Sequence, residues 1–117
     1  MNGIPRDLNL SDIVGSEIQQ IRVGRYDVQF YFGSGRGINV QGDVDVLNGG
    51  RVIAEWREES GWSTVAFHKL LNTPVVGYSI PHERLLEIQF EGELSMRLHD
   101  SSEQYESMQI YPEGIIV

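Results

Sequence analysis

The sequence predicts an α+β domain: a twisted, mainly antiparallel sheet built from two similar β-hairpin units, with one short helix between them. Three observations carry this. Residues 85–98 alternate with period two about a glycine turn, so Leu86, Ile88 and Phe90, then Leu94, Met96 and Leu98, face one way while Glu87, Glu91 and Glu93 face water. Residues 26–40 have the same layout, with Val28, Phe30 and Phe32, a glycine turn, then Ile38 and Val40. Alternation of this kind on both sides of a tight turn marks a β-hairpin with one buried and one wet face. Between the two units the period changes: Trp62, Val65, Ala66 and Leu70 fall at i, i+3, i+4 and i+8, the spacing of a helix stripe.

Taken in order, residues 1–12 form an irregular lead-in, because Gly3, Pro5 and the turn-forming run Asn9-Leu10-Ser11-Asp12 interrupt regular structure. Residues 17–57 make the first β unit. Its segment Gly33-Ser34-Gly35-Arg36-Gly37 has the glycines of a phosphate loop, but Ile38-Asn39-Val40-Gln41 follows as strand. A phosphate loop needs a helix N-terminus there, so the segment reads as a hairpin tip. Gly42 marks a bend, and Asn48-Gly49-Gly50 a turn. The helix is expected over 63–72, closed by Asn72-Thr73-Pro74, and must be held by packing because it is short. Residues 75–111 form the second β unit, and the apolar end Ile115-Ile116-Val117 is expected to dock on the body.

At 117 residues the chain suits one domain, 1–117, with enough length to bury a core. It contains no cysteine, which removes disulfides, thiolate metal sites and thiol nucleophiles. No run of apolar residues is long enough for a membrane span, and Met1–Leu10 lacks a signal-peptide core, so the expectation is a cytoplasmic protein. The net charge is −8, concentrated between Glu83 and Glu113, where the net is −6. Such a field repels phosphate backbones and attracts a basic protein. The same charge also serves solubility.

The segments Gly15-Ser16-Glu17-Ile18, then Leu86, Ile88, Phe90, Gly92 and Leu94, then Tyr105-Glu106-Ser107-Met108-Gln109-Ile110 resemble the pattern of a bacterial domain-of-unknown-function family of small β-rich proteins. Met108 stands where that family often carries tryptophan. The resemblance implies a small mixed fold, no enzyme activity, and a link to immunity proteins that neutralise bacterial toxins.

No catalytic, cofactor or metal motif emerges. His68 lacks a second ligand at i+4, where Asn72 stands, and His82 lies in a turn. Asp43 and Asp45 share one strand face, an arrangement that any polar-faced strand also produces. Glu58 and Glu59 precede Trp62 at the strand-to-helix junction, either as cap and core or as a charged tip with an aromatic anchor. Tyr105 packs its ring with Glu106 at the surface, and Tyr31, beside Asp27 and Gln29, reads as a cross-strand filler. The leading expectation is a non-enzymatic protein-binding module, an immunity protein for a basic toxin. Its contact residues are Asp43, Asp45, Glu58, Glu59, Trp62, Glu87, Glu91, Glu93, Tyr105 and Glu106. The alternatives are a domain that pairs with a second copy at a sheet edge, or a small metal-dependent hydrolase using His99, Asp100, Asp43 and Asp45.

Overall fold

The computed structural model describes residues 3–57, 65–101 and 106–117. Most of the alternating sequence is strand, with shorter bounds than expected and a break at 41–43. The first half supplies β1 (Ile18–Val23), β2 (Val28–Phe32), β3 (Gly37–Val40), β4 (Val44–Asn48) and β5 (Arg51–Trp56). The second supplies β6 (Val75–His82), β7 (Leu85–Phe90), β8 (Leu94–His99), β9 (Met108–Tyr111) and β10 (Ile115–Ile116). The inward residues of β7 and β8, Leu86, Ile88, Phe90, Leu94, Met96 and Leu98, are all buried.

The expected α+β class is overturned. The described chain is almost entirely β, arranged as two antiparallel five-stranded sheets around one hydrophobic core. The helix expected over 63–72 is a six-residue 3-10 helix, Val65–Leu70, with residues 63 and 64 outside the described residues. The physical reason lies in its ends and its period. Phe67 and Leu70, three apart, both bury on the core, which a 3-10 turn satisfies as well as an α-turn. Beyond them Asn72 takes a left-handed φ of 61°, and the Thr73 hydroxyl donates to the Lys69 carbonyl, so no further turn follows.

The single sheet is also corrected. The strand orders are β1-β2-β3-β9-β10 and β5-β4-β8-β7-β6. Each half therefore gives three consecutive strands to one sheet and sends its last hairpin into the other. The bend expected at Gly42 is a full break between sheets at 41–43, with β3 pairing β9 and β4 pairing β8. At the break the two exchanging segments touch. Gln41 and Gly42 N–H groups donate to the Ser107 carbonyl, and His99 N–H donates to the Asp43 carbonyl.

The described part of the lead-in, 3–12, has no strand, as expected, yet Ile4, Leu8 and Leu10 are buried. Ile4 N–H bonds the Glu83 carbonyl, and Leu10 N–H bonds the Tyr78 hydroxyl. Val117 is buried, and its N–H and carbonyl pair with Met108 and Ser107. No helix among the described residues is long and apolar enough to cross a membrane.

Candidate functional site

The outer faces of the two sheets differ in chemistry. Across the second sheet the registers align Glu55, Asp45, Arg97, Glu87 and Ser79 in one row. These charges bind one another. Arg57 Nη2 lies 2.7 Å from Asp45 Oδ1, and His99 Nε2 lies 2.9 Å from Asp45 Oδ2, so both carboxylate oxygens are engaged. Arg57 also approaches Asp43 at 3.7 Å and Glu55 at 3.6 Å. Burial works against the Arg57 cation, but its bond and attraction to Asp45 outweigh that and raise its pKa. Arg97 Nε bonds Glu87 Oε2 at 3.0 Å, and Gln89 Nε2 bonds the other oxygen at 2.9 Å.

Several residues expected to meet a basic partner are thus occupied within the protein: Asp43, Asp45 and Glu87. Glu91 and Glu93 remain exposed at the tip of the β7–β8 hairpin. Glu93 holds a left-handed φ of 67°, where glycine costs less. Glu58, Glu59, Trp62 and Tyr105 lie outside the described residues. Of the groups expected to converge for hydrolysis, His99 and Asp45 meet, but Asp100 is buried elsewhere. It accepts from Gly3 N–H, the Ser107 hydroxyl and Arg84 Nη1. No group of three or more His, Asp or Glu able to hold a metal occurs among the described residues.

The first sheet presents a different surface. One outward row reads Gln20, Tyr31, Gly37, Tyr111, and the next Arg22, Gln29, Asn39, Gln109, Ile116. Glycine at 37, between two tyrosines, leaves a recess lined by Gln29, Tyr31, Gly37, Ile38, Asn39 and Tyr111, with a volume of about 240 Å³. The walls are held by two parallel relays. On β2, the Tyr31 hydroxyl bonds Gln29 Oε1, and Gln29 Nε2 donates to Asp27 Oδ2 at 2.9 Å. On β9, the Tyr111 hydroxyl donates to Gln109 Oε1 at 2.7 Å, and Gln109 Nε2 donates to Glu106 Oε2 at 3.0 Å. Each carboxylate only accepts, which turns the amide nitrogen toward it and leaves the amide oxygen for the tyrosine. Each tyrosine must therefore donate its proton away, and its oxygen lone pairs stay open. Between the relays, Asn39 Oδ1 is buried with no hydrogen-bond partner among the described residues.

Arg36 fixes one end of the recess. Its side chain is only 6% exposed and grips Asp12 (2.8 and 3.0 Å) and Glu113 (2.8 and 3.1 Å), with a bond to the Tyr111 carbonyl at 3.4 Å. Two bidentate pairs on one planar fork set the β9–β10 turn, and so Tyr111, relative to β3. Sequence reasoning placed Glu106 among the contact residues and read Tyr31 as a filler, but missed Arg36, Asn39, Gln109 and Tyr111. The available signal was the doubled Gln-x-Tyr, at Gln29-Phe30-Tyr31 and Gln109-Ile110-Tyr111.

Two glutamates titrate low. Glu87 is held below its ordinary value of 4.5 by the Gln89 hydrogen bond and then by Arg97, against partial burial. Glu113 is lowered by Arg36 and by its own backbone N–H. A depressed folded-state pKa stabilises the fold above the unfolded value, and that contribution disappears as pH falls through the folded one. Urea midpoints are therefore expected to fall between about pH 6 and about pH 3, and by less in a Glu87→Gln/Glu113→Gln variant. An unchanged pH dependence in the variant contradicts this assignment.

The fold and the recess together define a two-sheet β domain with a small, uncharged, preformed surface groove. No protein-family model, no curated protein and no solved structure matches this chain.

Proposed function

We propose that this chain is a non-enzymatic binding domain whose ligand face is the outer surface of the first sheet. The Tyr31–Tyr111 groove carries the reading: its polar walls are oriented before any ligand arrives, which lowers the ordering cost of binding. The charged groups of the opposite face are engaged with one another instead. A fragment screen read by amide NMR shifts tests the location. Hits are expected to cluster at Gly37, Asn39 and Tyr111. Hits that gather elsewhere and avoid these amides overturn the reading.

A second reading, neutralisation of a basic toxin, is favoured by the net charge of −8 and by the exposed Glu91 and Glu93. Glu93 keeps its side chain at a position whose backbone suits glycine, which motivates a role for the tip. Long-range attraction would then set the association rate. Glu91→Lys/Glu93→Lys should slow capture of the partner from native host extract and reduce its salt dependence. Capture that is unaffected removes this reading.

A further inference from the structure

We infer that the groove between Tyr31 and Tyr111 binds a single neutral sugar ring; this rests on the first-sheet ligand face proposed above and specifies what occupies it. Four observations narrow the ligand.

The first is charge. The six lining residues carry none, and Asp27 and Glu106 stand behind the glutamines they hold. An anion finds no cation in the lining. A cation would be repelled by the Arg22 guanidinium, which lies 5.3 Å from the ring centroid of Tyr31, one of the two walls. The ligand is neutral.

The second is hydrogen-bond direction. Both tyrosine protons are committed to glutamine oxygens, so both hydroxyls face a ligand as acceptors. The occupant must donate. A proline-rich segment, the usual guest of aromatic-lined grooves, offers mainly carbonyl acceptors and does not fit this polarity. A sugar hydroxyl donates and accepts at once. It can also offer a donor to Asn39, which lines the recess and whose Oδ1 is buried with no hydrogen-bond partner among the described residues.

The third is shape. Tyr31 and Tyr111 are both register partners of Gly37, so their backbones lie two strand spacings apart, roughly 10 Å. Phenol walls offer apolar area to the C–H face of a pyranose, while their hydroxyls meet its rim. The fourth is size. A recess of about 240 Å³ falls below the usual range for drug-sized ligands, which suits one ring and leaves linked sugars to extend along the open sheet.

Gly37 supplies the decisive variant. A Cβ there would meet Tyr31 Cδ1 and Cε1 at 3.6 and 3.7 Å, ordinary contact, so Gly37→Ala fills the floor of the groove without disturbing the fold. The experiment titrates the ¹⁵N-labelled full chain separately with methyl β-glucoside, methyl β-galactoside, N-acetylglucosamine and a proline decapeptide. At least one sugar is expected to shift the Tyr31, Gly37, Asn39 and Tyr111 amides saturably, with a Kd of about 1 mM. Gly37→Ala, at unchanged Tm, should weaken that binding about tenfold or more, and Tyr111→Phe, which removes one acceptor but keeps the ring, should weaken it too. If no sugar shifts these amides, or if Gly37→Ala leaves the titration unchanged, the inference is overturned. Binding of the proline peptide alone at these amides overturns the sugar while leaving the ligand face intact. A fragment screen that avoids the groove removes the face itself.

Discussion

Gly42→Ala should destabilise the protein by on the order of 3 kcal/mol, the upper range for forcing atoms into a filled site. A Cβ at this position would sit 2.1 Å from the His99 carbonyl oxygen and 3.3 Å from its carbon. The obstacle is backbone, which cannot rotate aside as a side chain can. The carbonyl is also fixed where it stands, because His99 N–H is bonded to Asp43 and both Gln41 and Gly42 N–H groups are bonded to Ser107. Relief therefore means parting the two segments that carry hairpins between sheets. Gly37→Ala is the control: the same chemical change at another buried glycine, with open contact distances, should shift stability by less than about 0.5 kcal/mol. Urea unfolding of the two variants decides the matter. Equal stabilities would show that the segments do not approach this closely.

Asp100→Ala is expected to cost about 2–4 kcal/mol, because it removes a buried charged acceptor shared by three donors, one of them the fully buried Ser107 hydroxyl. The Asp100 carboxylate is 0% exposed and ties three separate regions: Gly3 N–H at 2.9 Å, the Ser107 hydroxyl at 2.5 Å and Arg84 Nη1 at 3.2 Å. Arg84 is half exposed and recovers hydration, but Ser107 is fully buried. Loss of the carboxylate should also free the lead-in, so the Ile4 amide, bonded to the Glu83 carbonyl, should exchange faster with deuterium than the β7 amides do. Asp100→Asn, which keeps an acceptor for Gly3 or Ser107, should lose less. If Ile4 exchange is unchanged in Asp100→Ala, the carboxylate does not anchor the lead-in.

Period-two patterning identified most strands because each buries one face, and burial selects the same alternate residues whichever sheet a strand joins. For that reason it could not show that Val40 and Val44 lie in different sheets. The partners that separate them, Met108 and Leu98, are distant in sequence. The helix was misread because Phe67 and Leu70 sit three apart, a spacing that α and 3-10 turns share. Site reasoning followed charge, and an isolated sequence does not reveal that Asp45 faces Arg57 and His99 or that Glu87 faces Arg97. The groove escaped notice for the same reason. Tyr31 and Tyr111 become neighbours only because β9 from the second half pairs with β3 from the first.

The traded hairpins carry one more consequence. The first half alone lacks the strand that belongs beside β3, and the second alone lacks the one beside β8. By the same pairing, two copies of either half would complete each other. The chain thus has the architecture of an intertwined dimer fused into one polypeptide. Severing it in the 3-10 linker should leave two fragments, each with an open strand edge that the other fragment or a second copy of itself completes.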